Sequence, residues 1–151
     1  MKTYIGTKII NATPMNRLNY NTYRGWLLPD NENGADEGYL VEYMDGGAPN
    51  DSRHAGYISW SPAAQFAGAY RETSGLTFGL AIESMKKGAK VTRAGWNGKG
   101  LWLEYYQPMT DVDLPYIRMS YPVHSGAYPK GARVPWLASQ TDMLAEDWSI
   151  V

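Results

Sequence analysis

Thr77-Phe78-Gly79-Leu80-Ala81-Ile82-Glu83-Ser84-Met85-Lys86-Lys87-Gly88 is the stretch that decides the fold. Phe78, Ala81, Ile82 and Met85 recur at i, i+3, i+4 and i+7, which puts them on one face of an α-helix. Thr77 stands where a side-chain oxygen caps the first turn. Lys86 and Lys87 fall where cations complement the helix dipole, and Gly88 supplies a left-handed residue to end the helix. A helix apolar on one face needs a second layer to cover it. The following segments supply one: Lys90 to Trp96 and Leu101 to Tyr106 read as a hairpin turned at Asn97-Gly98, and Tyr116 to Tyr121 and Ala132 to Trp136 add two strands. Between those two, Pro122 to Gly131 reads as a loop. Ser139 and Asp142 have the spacing of a capping box, and Trp148 to Val151 returns to the sheet. The expectation for residues 73-151 is α+β, an antiparallel sheet packed on one main helix.

Upstream, the polar stretch Glu72-Thr73-Ser74-Gly75 marks a junction with a smaller α+β module over residues 1-72. Here Tyr4 to Asn11 alternates like a strand, and Thr13-Pro14 reads as a helix start with proline in the first turn. That helix is expected to run to about Tyr23 and close at Gly25. Tyr39 to Tyr43 and Tyr57 to Trp60 read as strands separated by a loop from Gly46 to Gly56. Ser61-Pro62 then opens a second helix whose apolar face is Ala63, Phe66, Ala67 and Tyr70.

Composition narrows the function. The chain has 151 residues, six Trp and twelve Tyr against two Phe, no Cys, and a formal charge of −1. A near-neutral chain lacks the basic field that a nucleic-acid polymer demands, so no polymer partner is expected. A small phosphorylated ligand needs only a few donors, for which Arg93, Arg118 and Arg133 are candidates. Without cysteine there are no disulfides, thiolate metal sites or thiol nucleophiles. No signal peptide and no run of about 20 apolar residues is visible, so a soluble, intracellular protein with no membrane partner is expected.

Catalytic patterns are sparse. His54 and His124 lie in separate loops without a second metal ligand at motif spacing, and no nucleophile elbow, phosphate loop or dinucleotide fingerprint occurs. Asp142, Glu146 and Asp147 offer a general acid and base, but Asp142 is already accounted for at a helix start. The expectation is therefore a non-enzyme with no cofactor and no metal. Binding has better support, because Trp96-Asn97 and Trp136 with Ser139-Gln140-Thr141 place flat rings beside short polar groups. That pairing suits a nucleotide base. Each tryptophan read alone fits a core equally well, and Asn97 alone fits a plain turn.

Four motifs in order, Leu76-Thr77-Phe78, Gly95-Trp96-Asn97-Gly98, Pro115-Tyr116-Ile117 and Pro135-Trp136-Leu137-Ala138-Ser139-Gln140-Thr141-Asp142, resemble one family. It is the phage and prophage family that includes the second type of Thoeris anti-defence protein, and the resemblance covers Leu76 to Val151. It implies a sponge that works in the cytoplasm of the infected bacterial host. Such a protein would be a homotetramer that encloses cyclic ADP-ribose signals made by TIR-domain immune enzymes, or cyclic dinucleotides, without degrading them. Carried over by motif position, the ligand-binding residues are Phe78, Trp96, Asn97, Trp136, Ser139, Gln140, Thr141 and Asp142. The extra module and the long loop depart from the shortest family members and leave ligand identity open. The alternative is a phage structural or host-protein-binding module that uses its exposed aromatic surface.

Overall fold

A computed structural model of the chain describes residues 1–96, 100–121 and 128–151. The expected Asn97-Gly98 turn and most of the Pro122 to Gly131 loop, His124 included, lie outside the described residues. The chain divides into two compact units, Met1–Tyr70 and Arg71–Val151. Both are α+β.

In the first unit, β1 (Ile10–Pro14), β2 (Gly38–Tyr43) and β3 (Tyr57–Pro62) form an antiparallel sheet in that order. Side chains alternate along β2, so the two helices take opposite faces. Helix α1 (Arg17–Arg24) lies on the face of Leu40, Ile58 and Trp60, where Tyr20 is buried against them. Helix α2 (Ala63–Ala69) lies on the other, with Phe66 stacked on Tyr39 at 4.0 Å between ring centroids.

The expected strand from Tyr4 and helix start at Thr13-Pro14 are corrected here. The strand begins at Ile10 and ends at Pro14, and the helix starts at Arg17. Pro14 closes an outer strand, where its missing N–H is tolerated, and sits opposite Tyr39. The capping oxygen comes from Asn16, whose side chain accepts from the Asn19 N–H at 2.8 Å. Gly25 ends α1 with φ at +70°, as its position suggested. Ser61-Pro62 belongs to the end of β3, and the first N–H of α2 is satisfied by the carbonyl of Glu37 at 3.0 Å instead of a Ser side chain.

Glu42 on β2 organises the loop before β3. Its Oε1 accepts from the Ala55 and Gly56 N–H groups at 3.0 and 3.1 Å, and Oε2 lies 3.3 Å from His54 Nδ1. The other ring nitrogen of His54 is 2.8 Å from the Tyr23 hydroxyl. Gly56 is pressed against the Tyr43 carbonyl, leaving no space for a Cβ.

In the second unit, α3 (Phe78–Lys86) packs on a five-stranded antiparallel sheet. The strands are β4 (Val91–Arg93), β5 (Trp102–Tyr106), β6 (Tyr116–Tyr121), β7 (Ala132–Pro135) and β8 (Trp148–Ile150). Their spatial order is β7-β6-β5-β4-β8. Thr77 caps α3 by accepting from the Leu80 N–H, and Gly88 follows with φ at +92°. The strand expected to reach Trp96 stops at Arg93, because the next N–H groups, of Ala94 and Gly95, leave the ladder for the Asp147 carbonyl and carboxylate. The core is Leu76, Ala81, Met85, Val91, Leu103 and Trp148. Truncating a fully buried indole costs about 3–5 kcal/mol, so Trp148, with no exposed surface, is a main anchor. Among the described residues, no helix is long and apolar enough to cross a membrane.

Candidate ligand-binding site

Four aromatic rings converge where α3 begins. Phe78 is the first residue of α3, Trp96 follows β4, Trp136 follows β7, and Trp148 lies in β8. Trp148 is the floor: its centroid is 5.4 Å from Phe78, 5.4 Å from Trp96 and 5.9 Å from Trp136. Around it, Trp136 stands 6.0 Å from Phe78 and 6.1 Å from Trp96. These spacings and the mostly steep interplanar angles are those of edge-to-face packing. Phe78, Trp96 and Trp136 are half-buried, so each retains a water-facing part that Trp148 does not.

The short helix α4 (Gln140–Met143) supplies the polar border. Its capping box is present, with Ser139 Oγ accepting from the Asp142 N–H and the Asp142 carboxylate accepting from the Ser139 N–H. Ser139 and Thr141 hydroxyls lie 2.9 Å apart, and both residues are exposed, as is Gln140.

Asp142 points the other way, into the unit. Its Oδ1 accepts from Arg93 Nη1 at 2.7 Å and from the Trp96 indole N–H at 3.2 Å, while Oδ2 accepts from the Ser139 hydroxyl at 2.6 Å. Its backbone carbonyl accepts from the Trp148 indole at 3.0 Å. Arg93 reaches a second carboxylate, Asp147, through Nε at 2.7 Å, and Asp147 also accepts from the Gly95 N–H. Asp142, held by Arg93, thus fixes both indoles, Trp96 through its carboxylate and Trp148 through its backbone carbonyl.

Burial raises the Asp142 carboxyl, but hydrogen bonds from Ser139, Arg93 and Trp96 outweigh it and hold the group at about 2. The Arg93 hydrogen bond likewise holds Asp147 below the usual carboxylate range. Both are ionised at neutral pH, so neither has a proton to donate as a general acid. The sign of the linkage follows: a folded-state value below the unfolded one contributes stability above about pH 4, and that stability is lost as pH falls toward 2. For Asp142, which is 13% exposed at its side chain, the contribution is about 1–2 kcal/mol once solvent screening is allowed for. Acid titration is expected to show a larger loss between pH 4 and 2 in the wild type than in Asp142→Asn, which keeps only the loss due to Asp147 and the other paired carboxylates.

Of the eight residues expected to bind ligand, Phe78, Trp96 and Trp136 form one cluster, Ser139, Gln140 and Thr141 border it, and Asp142 anchors it from behind. Asn97 lies outside the described residues. Trp148 and the anchoring role of Arg93 were missed by sequence reasoning. As phosphate donors the three arginines are already engaged: Arg93 holds two carboxylates, and Arg118 and Arg133 both face Glu104 at 2.9 and 3.5 Å. Arg133 is the most exposed of them. Among the described residues, no group of three His, Asp or Glu side chains is placed to share a metal ion.

A family model described as the Thoeris anti-defense 2-like domain matches residues 76–151, which is half the chain and contains every residue of this site. Among curated proteins, Thoeris anti-defense 2 of Bacillus phage SP01 is 32% identical over 94 residues, covering 50% of this chain and 94% of the phage protein. The chain belongs to the Thoeris anti-defense 2-like family. Membership supports a phage anti-defence role. The anti-defense domain opens at Leu76, whose N–H and carbonyl both bond to Trp148, so its first matched residue already touches the floor of the aromatic cluster.

Proposed function

We propose that the anti-defense domain captures a cyclic nucleotide immune signal and withholds it without degrading it. The ligands in view are cyclic ADP-ribose isomers made by TIR-domain enzymes, with cyclic dinucleotides as the other candidates. The observation that carries this reading is the arc of Phe78, Trp96 and Trp136, each partly open to solvent, beside the exposed Ser139, Gln140 and Thr141. Rings give a base a stacking surface, and hydroxyls and an amide orient it. Asp142 and Arg93 act as positioning residues, since their charges are already paired with each other and with Asp147.

Capture that outlasts a signalling pulse needs slow release, which follows when most of a small ligand is buried. A site completed by neighbouring protomers of a homotetramer provides that burial, and light scattering of the purified chain tests the assembly. The deciding experiment incubates the protein with cyclic ADP-ribose isomers and cyclic dinucleotides, removes free ligand by filtration, denatures the retained protein and weighs what emerges. Intact signal released only on denaturation supports capture. An altered product would make the protein an enzyme, and nothing retained would favour protein binding through the exposed aromatic surface.

Trp96→Ala is expected to weaken retention about 10–100-fold, the loss of one stacking contact, with the circular dichroism spectrum unchanged. Collapse of the fold in that variant would assign Trp96 to the core instead.

A further inference from the structure

The carboxylate that anchors the aromatic cluster has no acceptor position to spare. Its two oxygens offer about four such positions. Those of Asp142 take Arg93 Nη1, the Trp96 indole N–H, the Ser139 N–H and the Ser139 hydroxyl.

Ser139 is filled in the same way. A hydroxyl has one hydrogen and two lone pairs. The Ser139 hydrogen goes to Asp142 Oδ2 at 2.6 Å, the short distance of an O–H donating to an ionised carboxylate, and one lone pair takes the Asp142 N–H at 3.1 Å. The 2.9 Å contact with Thr141 Oγ1 therefore has one direction, because the Ser139 hydrogen is already placed: Thr141 donates and Ser139 accepts. Ser139 was expected to touch the ligand, yet its hydroxyl keeps neither a hydrogen nor a lone pair for one.

The remaining capacity surfaces at Thr141. Its hydrogen points at Ser139, so its oxygen, on an exposed residue, is left to accept. The hydrogens of Thr141 and Ser139 both point toward the Asp142 charge, and aligned donors polarise one another, which makes the outer oxygen a stronger acceptor than that of an isolated hydroxyl. The same carboxylate holds the Trp96 indole, so the Thr141 oxygen is linked through Ser139 and Asp142 to a ring that offers a stacking face. Gln140 is exposed and turns either end of its carboxamide outward, so it orients a ligand without discriminating between donors and acceptors.

Resting on the capture reading, we propose that Thr141 is the specificity-determining residue of the aromatic site and that it selects a base with an exocyclic amino group, whose N–H it accepts. A base with only C–H at that place leaves the acceptor unpaired. One with a keto oxygen there sets acceptor against acceptor, unless Thr141 turns its hydrogen away from Ser139 and breaks the aligned chain. The preference expected from one such hydrogen bond is about tenfold.

The test measures, by calorimetry on the full chain, matched cyclic nucleotides that differ only in the amine. Cyclic di-AMP and cyclic ADP-ribose isomers are paired with analogues carrying hydrogen in place of the adenine amine, and cyclic di-GMP with cyclic di-IMP. The amine-bearing member is expected to bind about tenfold more tightly in the wild type. Thr141→Val, which keeps the side-chain shape and removes the oxygen, is expected to reduce that ratio to within about twofold. Thr141→Ser is expected to retain it, and both variants should melt like the wild type, since the bonds between Ser139 and Asp142 are untouched. Equal affinities within every pair in the wild type, with binding itself intact, overturn the specificity and leave capture standing. A preference that survives Thr141→Val also overturns it. No binding of any cyclic nucleotide at about 1 mM, the weak end of specific binding, overturns capture and this inference together.

Discussion

Asp142→Ala is expected to lower the stability of the second unit by about 3 kcal/mol and to abolish signal retention. The substitution removes a helix cap, whose loss alone costs about 1 kcal/mol. It also leaves the Trp96 indole N–H without its acceptor and takes from Arg93 one of two carboxylates in a site where the guanidinium is only 16% exposed. For a unit of this size the loss corresponds to a fall of roughly 15 °C in melting temperature, which thermal unfolding followed by near-ultraviolet circular dichroism reads directly. Asp142→Asn keeps an acceptor for the cap but not the charge, and about half the effect is expected. The functional loss is larger than the stability loss implies, because Trp96, a wall of the aromatic cluster, takes its orientation from the carboxylate that is removed. If Asp142→Ala melted like the wild type, the anchoring role would be wrong.

Gly56→Ala is expected to destabilise the first unit by about 3 kcal/mol or more. The added methyl group would meet the Tyr43 carbonyl oxygen, a backbone atom fixed by the pairing of β2 with β3. Overpacking against a side chain can be relieved by a rotamer change, whereas here two strands must separate or the loop must give up the Glu42 hydrogen bonds to Ala55 and Gly56. Hydrogen exchange resolves the result by unit: amides of β2 and β3 should exchange faster, and those of β5 and β6 at the wild-type rate. Gly68→Ala, on helix α2 with open space around its α-carbon, is the matched control and should be neutral or mildly stabilising.

The second unit was the more legible of the two, for a physical reason. Thr77, the apolar spacing from Phe78 to Met85 and Gly88 are local signals that agree, and the Ser139–Asp142 box is complete within four residues. In the first unit, Thr13-Pro14 carried a helix-start signal that pairing with Tyr39 and Leu40 overrode, since strand partners far along the chain cannot be read from a dipeptide. The same limit hid the anchor of the aromatic site. Arg93 lies 49 and 54 positions from its two carboxylates, so no periodicity joins them. Residue type identified the aromatic residues but not their division of labour: Trp148 and Trp136 are chemically alike, and only their places in the sheet decide which becomes floor and which wall.

The pairing of Leu76 with Trp148, and of Ile150 with the Thr73 carbonyl, brings the two ends of the anti-defense domain together as hydrogen-bonded neighbours. A domain whose entry and exit lie side by side can be joined to other coding sequence without threading the new chain through its sheet. That geometry makes it easy to inherit as a cassette: gene fusion upstream adds a unit such as Met1–Tyr70 while the strand order β7-β6-β5-β4-β8 stays as it was. Recombination among phage genomes would therefore be expected to join this domain to varied upstream partners more readily than to split it internally.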